Sequence, residues 1–123
     1  MRANTFLAGA AMAALLAVTP AATAQEHVPS AEQAMALWCH GAMAGMSKAY
    51  AKDGNTTAAE ADRARAEALR AKALALLAAD NVSGEEAEAL VTQYEEAAEG
   101  EIFKGRGEPQ FEENDCNELA ETP

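Results

Sequence analysis

The chain has 123 residues, 20 acidic side chains against 9 basic ones, and a net charge of −11. That length holds one domain with a small core, and that charge argues against nucleic acid and anionic membrane surfaces as partners, because both repel an acidic protein.

The first 24 residues read as a cleaved signal peptide. Arg2 and the amino terminus supply a positive start, Phe6 to Val18 an apolar run, and Ala22-Thr23-Ala24 the small-x-small pattern of a cleavage site. The apolar run spans 13 residues, whereas a membrane-spanning helix needs about 20. A cut after Ala24 leaves residues 25–123 as a single domain with no further membrane segment, carrying 8 bases against 20 acids. Export puts the protein in the periplasm or, as the alternative, the extracellular medium.

Residues 25–29 read as a loose leader. Ser30 and Gln33 form a capping box, and the spacing predicts a first helix from Ala31 to Lys52, with Ala31, Met35, Trp38, Cys39, Ala42, Met46 and Ala49 on its apolar stripe. Asp53-Gly54-Asn55 ends it. Thr57 with Glu60 suggests a second box and a helix from Ala58 to Ala79, whose stripe is Ala66, Leu69, Ala73, Leu76 and Leu77 and whose outer face is a solvated mixture of charges. Ser83 with Glu86 opens a third helix with Ala87, Leu90, Val91, Tyr94, Ala98 and Ile102 inward. Gly105-Arg106-Gly107 links it to a short fourth helix, where Pro109 suits the first position and Phe111, Cys116 and Leu119 are anchors. The expected fold is all-α: a bundle of three main helices and a short C-terminal helix.

Acids concentrate at the end of the chain. Residues 25–83 hold 7 acids and 6 bases; residues 84–123 hold 13 acids and 2 bases. The acidic third segment is therefore expected near the basic cluster Arg63, Arg65, Arg70 and Lys72.

Cys39 and Cys116 are the only cysteines. In an oxidising compartment they are expected to pair, closing a loop of 77 residues and stabilising a thin, alanine-rich core by about 4 kcal/mol on chain-entropy grounds. The crosslink would tie the last helix to the middle of the first.

Three patterns raise chemistry. Cys39 beside His40 suggests a nucleophile pair, but neighbours on a helix point apart. His40, Met43 and Met46 offer imidazole nitrogen and thioether sulfur, a set suited to reduced copper; methionine is also ordinary core filling. A terminus of Gln25-Glu26-His27 could supply a square-planar nitrogen site for copper or nickel, unless Gln25 cyclises. Gly41 and Gly45 form a small-x-x-x-small step that lets another helix approach, or else provides a contact face for a partner or dimer. The carboxylates lie on polar faces without a cleft to raise one of them, and phosphate loops, HExxH and Ser/His/Asp sets are absent. The expectation is a non-enzymatic exported protein that binds an unknown protein or peptide. The alternatives are a copper- or nickel-binding protein and, by analogy of size, helicity and a single disulfide, a protein like the small periplasmic acid-stress chaperones.

Overall fold

Residues 26–123 are described by the computed structural model; the expected signal peptide, its cut and Gln25 lie outside the described residues. The helices are α1 (Ala31–Lys52), α2 (Thr56–Ala79), α3 (Gly84–Phe103) and α4 (Glu113–Glu121), with no strand among the described residues. The all-α bundle with a short last helix is thus realised.

The helix starts show how local chemistry sets the bounds. At α1 the capping box is complete: Gln33 N–H donates to Ser30 Oγ at 3.2 Å, and Ser30 N–H to Gln33 Oε1 at 2.9 Å. α2 starts two residues earlier than expected. Gly54 turns at φ 80°, Asn55 N–H closes the turn on the Tyr50 carbonyl, and the Asn55 side chain then caps Ala58 N–H at 3.2 Å. The Thr57–Glu60 box is not used. Ser83 caps α3 by accepting from Glu86 N–H at 3.2 Å, but the Glu86 carboxylate does not return to Ser83; it accepts the His27 amide at 2.6 Å. α4 starts at Glu113, so Pro109 is not its first residue. Instead Phe111 packs edge-on against Trp38 with ring centroids 5.8 Å apart, and Gln110 donates to Glu101 at 3.1 Å. These contacts hold residues 109–111 outside the helix.

α1 is the central helix. It packs along α2 on one side and α3 on another, while α2 and α3 touch each other little, and α4 lies against α1 and α2. From Ala36 to Met43 every α1 residue is buried, including Leu37, His40, Gly41 and Met43, which a single stripe leaves out. A helix with neighbours on three sides has no solvent face there.

The core has two lobes. One joins Ala36 and Leu37 to Ala73, Leu77, Ala87, Leu90 and Val91. The other surrounds Trp38, Cys39, Met43, Leu69, Ala98 and Cys116, with Tyr94 and Leu119 packed against both. The Cys39–Cys116 disulfide lies in this second lobe, with Cα atoms 5.3 Å apart, and fastens α4 to the middle of α1. Asp62 on α2 is buried as well, its carboxylate held by Arg65 at 2.8 Å.

The acidic third segment meets the basic second one at one side-chain pair among the described residues. Arg70 donates to both oxygens of Glu88 at 2.5 Å. Arg63 and Arg65 instead pair within α2, with Glu67 and Asp62.

Candidate functional site: a trough between α1 and α3

Beyond Met43 no residue of α1 is fully buried. Small side chains there let α3 come close. A Cβ on Gly41 would stand 2.9 Å from Glu95 Cα and 3.1 Å from the Tyr94 carbonyl oxygen, so at this point the two backbones nearly touch. Past that crossing the helices leave an open trough of about 780 Å³. Its floor is Gly41, Ala44, Gly45 and Ala49; Lys48 and Lys52 form one wall, and Glu95, Glu96, Glu99 and Phe103 the other. Phe103 is 44% exposed, one of two large apolar side chains so placed among the described residues, and its ring lies over Gly45.

The acidic wall is anchored at two points. Glu95 Oε2 lies 2.8 Å from His40 Nε2, and His40 Nδ1 lies 2.9 Å from the Ala66 carbonyl oxygen. A carbonyl can only accept, so Nδ1 carries a proton; the second contact needs another proton, on Nε2 or on Glu95. Buried His40 thereby ties α1 to both neighbours. Glu99 pairs with Lys104 at 3.0 Å. The hydrogen bond and charge of Lys104 hold the Glu99 carboxyl below its ordinary value of 4.5.

The residues singled out for metal chemistry occupy separate surroundings. Both His40 nitrogens are engaged as described. Met43 is in the apolar lobe around the disulfide, and with Met46, Trp38, Ile102 and Phe111 it lines a small apolar cavity of about 170 Å³. Cys39, beside His40 in the chain, is spent in the disulfide.

His27 is docked. Its amide donates to Glu86, and Nε2 lies 2.9 Å from Gln33 Oε1, which also accepts from Ser30. The Gln33 amide group donates in turn to the Leu76 carbonyl and to Asp80. The leader is thus fastened from His27 onward to three helices, and a square-planar site would have to take the same backbone nitrogen from Glu86. Among the described residues, no three His, Cys, Asp or Glu side chains are grouped to hold a metal ion.

Gln33 and the α3 wall were missed by pattern alone. Gln33 looked like a capping residue only, and the α3 carboxylates like a solvated face. The Gly41–Gly45 step was the one signal pointing to the crossing. Comparison with protein-family models, with curated proteins and with solved structures found no match.

Proposed function

We propose that this chain is a non-enzymatic exported protein that acts by binding a protein or peptide in the α1–α3 trough. The observation that carries this reading is the trough itself: an apolar floor of small residues, an exposed phenylalanine and walls of opposite charge. Recognition sites of this kind bury an apolar stripe and read charge at the rim. The disulfide supports an oxidising compartment, and the signal pattern supports the periplasm ahead of the extracellular medium. No helix among the described residues is long and apolar enough to cross a membrane.

A photocrosslinking residue placed at Lys48 or Lys52 in exporting cells tests this. Adducts at those positions that are missing at Glu85, on the far end of α3, and lost when Ala44→Arg fills the floor are the expected result. Equal labelling at Glu85 would remove the reading.

A second reading, acid-triggered loosening of a chaperone kind, is favoured by where the carboxylates sit. Asp80, Glu86, Glu95 and Glu101 hold Gln33, the His27 amide, His40 and the Trp38 indole, all at joints between segments. Each of these hydrogen bonds joins groups far apart in the chain, so losing it would loosen the packing of one segment on another. Acid titration followed by Trp38 fluorescence and far-UV circular dichroism checks this: tertiary signal should go while helix remains. Loss of both signals together would count against a chaperone-like state.

A further inference from the structure

The lobe of the core around the disulfide holds space that its own side chains do not fill. Protein interiors pack to the density of organic crystals, and voids larger than a water molecule are few. Here a cavity of about 170 Å³ lies between α1, α3 and the segment leading into α4. Trp38, Met43 and Met46 line it from α1, Ile102 from α3, and Pro109 and Phe111 from that segment. Its remaining α1 wall is the buried Ala42, where a larger side chain would close the space. Atoms lining a void lose their packing partners on that side, a loss that weighs heavily in so thin a core.

We infer that this cavity is a binding site for a small uncharged molecule built on one aromatic ring. Size selects a single ring: a dry apolar cavity of about 150 Å³ is enough to hold benzene. The walls select an aromatic one. Trp38 and Phe111 stand edge to face, with ring centroids 5.8 Å apart and planes 62° apart, and two thioethers adjoin them. Such a lining offers a flat ring aromatic and sulfur contacts that an alkane does not make. Polarity excludes an anion. Glu113 is the one ionisable residue on the lining, and the Trp38 indole N–H is already given to Glu101 at 2.8 Å. A carboxylate carried by the ring would lose its water with no cation to meet it.

The way in is through the link between α3 and α4. Pro109 and Glu113 are exposed at the rim, and residues 109–111 lie outside any helix. Before them Gly105 and Gly107 turn at φ 63° and 117°, where glycine is at little strain. Glu101 holds both sides of the cavity, accepting from the Trp38 indole through Oε1 and from Gln110 through Oε2 at 3.1 Å. A ring seated between Trp38 and Phe111 therefore fastens the link to α1. The cavity shares no lining residue with the trough and does not depend on it.

Trp38 is the only tryptophan, so its fluorescence reports the cavity. Bromobenzene, whose heavy atom quenches an indole in contact, should quench the oxidised chain saturably with a Kd of about 1 mM or tighter. With toluene, the methyl resonances of Met43, Met46 and Ile102 should shift while those of Leu37 and Leu77, in the other lobe, stay. Benzoate, hexane and N-acetylphenylalaninamide, the last carrying its ring on a peptide backbone, should each bind about tenfold more weakly than toluene or worse. Ala42→Leu fills the space and should abolish saturable quenching with circular dichroism unchanged. Met46→Ala enlarges it instead and should shift preference from toluene to the two-ring naphthalene, which keeps the proposal open to test if the first variant fails to fold. Quenching that never saturates, shifts spread over both lobes, a weaker probe that equals toluene, toluene binding retained in folded Ala42→Leu, or an unchanged preference in Met46→Ala would overturn the proposal.

Discussion

His40 faces two acceptors at once, the Ala66 carbonyl and the Glu95 carboxylate. Truncation to alanine leaves the carbonyl buried without its partner and removes a side-chain tie that joins α1 to both long neighbours. His40→Ala should lower unfolding stability by about 2 kcal/mol, the usual cost of orphaning a buried polar group, measured by urea denaturation. Glu95 is 43% exposed and can turn to water, which limits the loss. Glu99 gives a pH-dependent counterpart. Lys104 holds its carboxyl below 4.5, so the pair contributes stability above the unfolded value and loses it as pH falls through the folded value. In a Lys104→Ala variant the Glu99 carboxyl resonance, followed by NMR, should titrate at higher pH than in the parent.

The two glycines of α1 separate at the scale of elements. Gly41 faces backbone, which cannot yield without moving α3; Gly45 faces the tip of the Phe103 ring, which can swing away. Gly41→Ala should therefore cost about 1–3 kcal/mol through overpacking, and Gly45→Ala far less, as read from paired thermal unfolding curves. The capping side chains at Ser30 and Ser83 were legible because a cap is a contact between neighbours in sequence. Thr57 misled because an equally good cap, Asn55, stood two residues earlier and the Gly54 turn chose between them. Pro109 misled because Trp38 and Glu101, both distant in sequence, hold the segment that follows it. The single stripe drawn on α1 failed for a related reason: periodicity identifies one buried face, and a central helix has several.

For the whole molecule, the thin core makes the crosslink the largest single support. Reduction of Cys39–Cys116 removes a constraint over 77 residues and should cost about 4 kcal/mol. Urea unfolding of the oxidised chain and of a Cys39→Ala/Cys116→Ala variant would measure it, and α4, which has a single buried residue, should be the first element to lose hydrogen-exchange protection in the variant. The helical fold and the disulfide were both readable from composition and cysteine count. The trough and the docked leader were not, because each is made by residues far apart in the chain whose side chains, taken singly, resemble ordinary surface.

The same crosslink governs how the molecule answers to mechanical load. Once the hydrogen bonds that dock His27 and Gln33 have given way, tension applied at Glu26 and Pro123 passes across the sulfur bridge without entering the chain between Cys39 and Cys116. α2, α3 and most of α1 are thereby shielded, and only the short tails outside the bridge can pay out. Once the bridge is reduced, the enclosed chain can add about 270 Å of extension at full stretch. The oxidised protein is in effect a short, nearly inextensible link, and the reduced one a long, compliant tether.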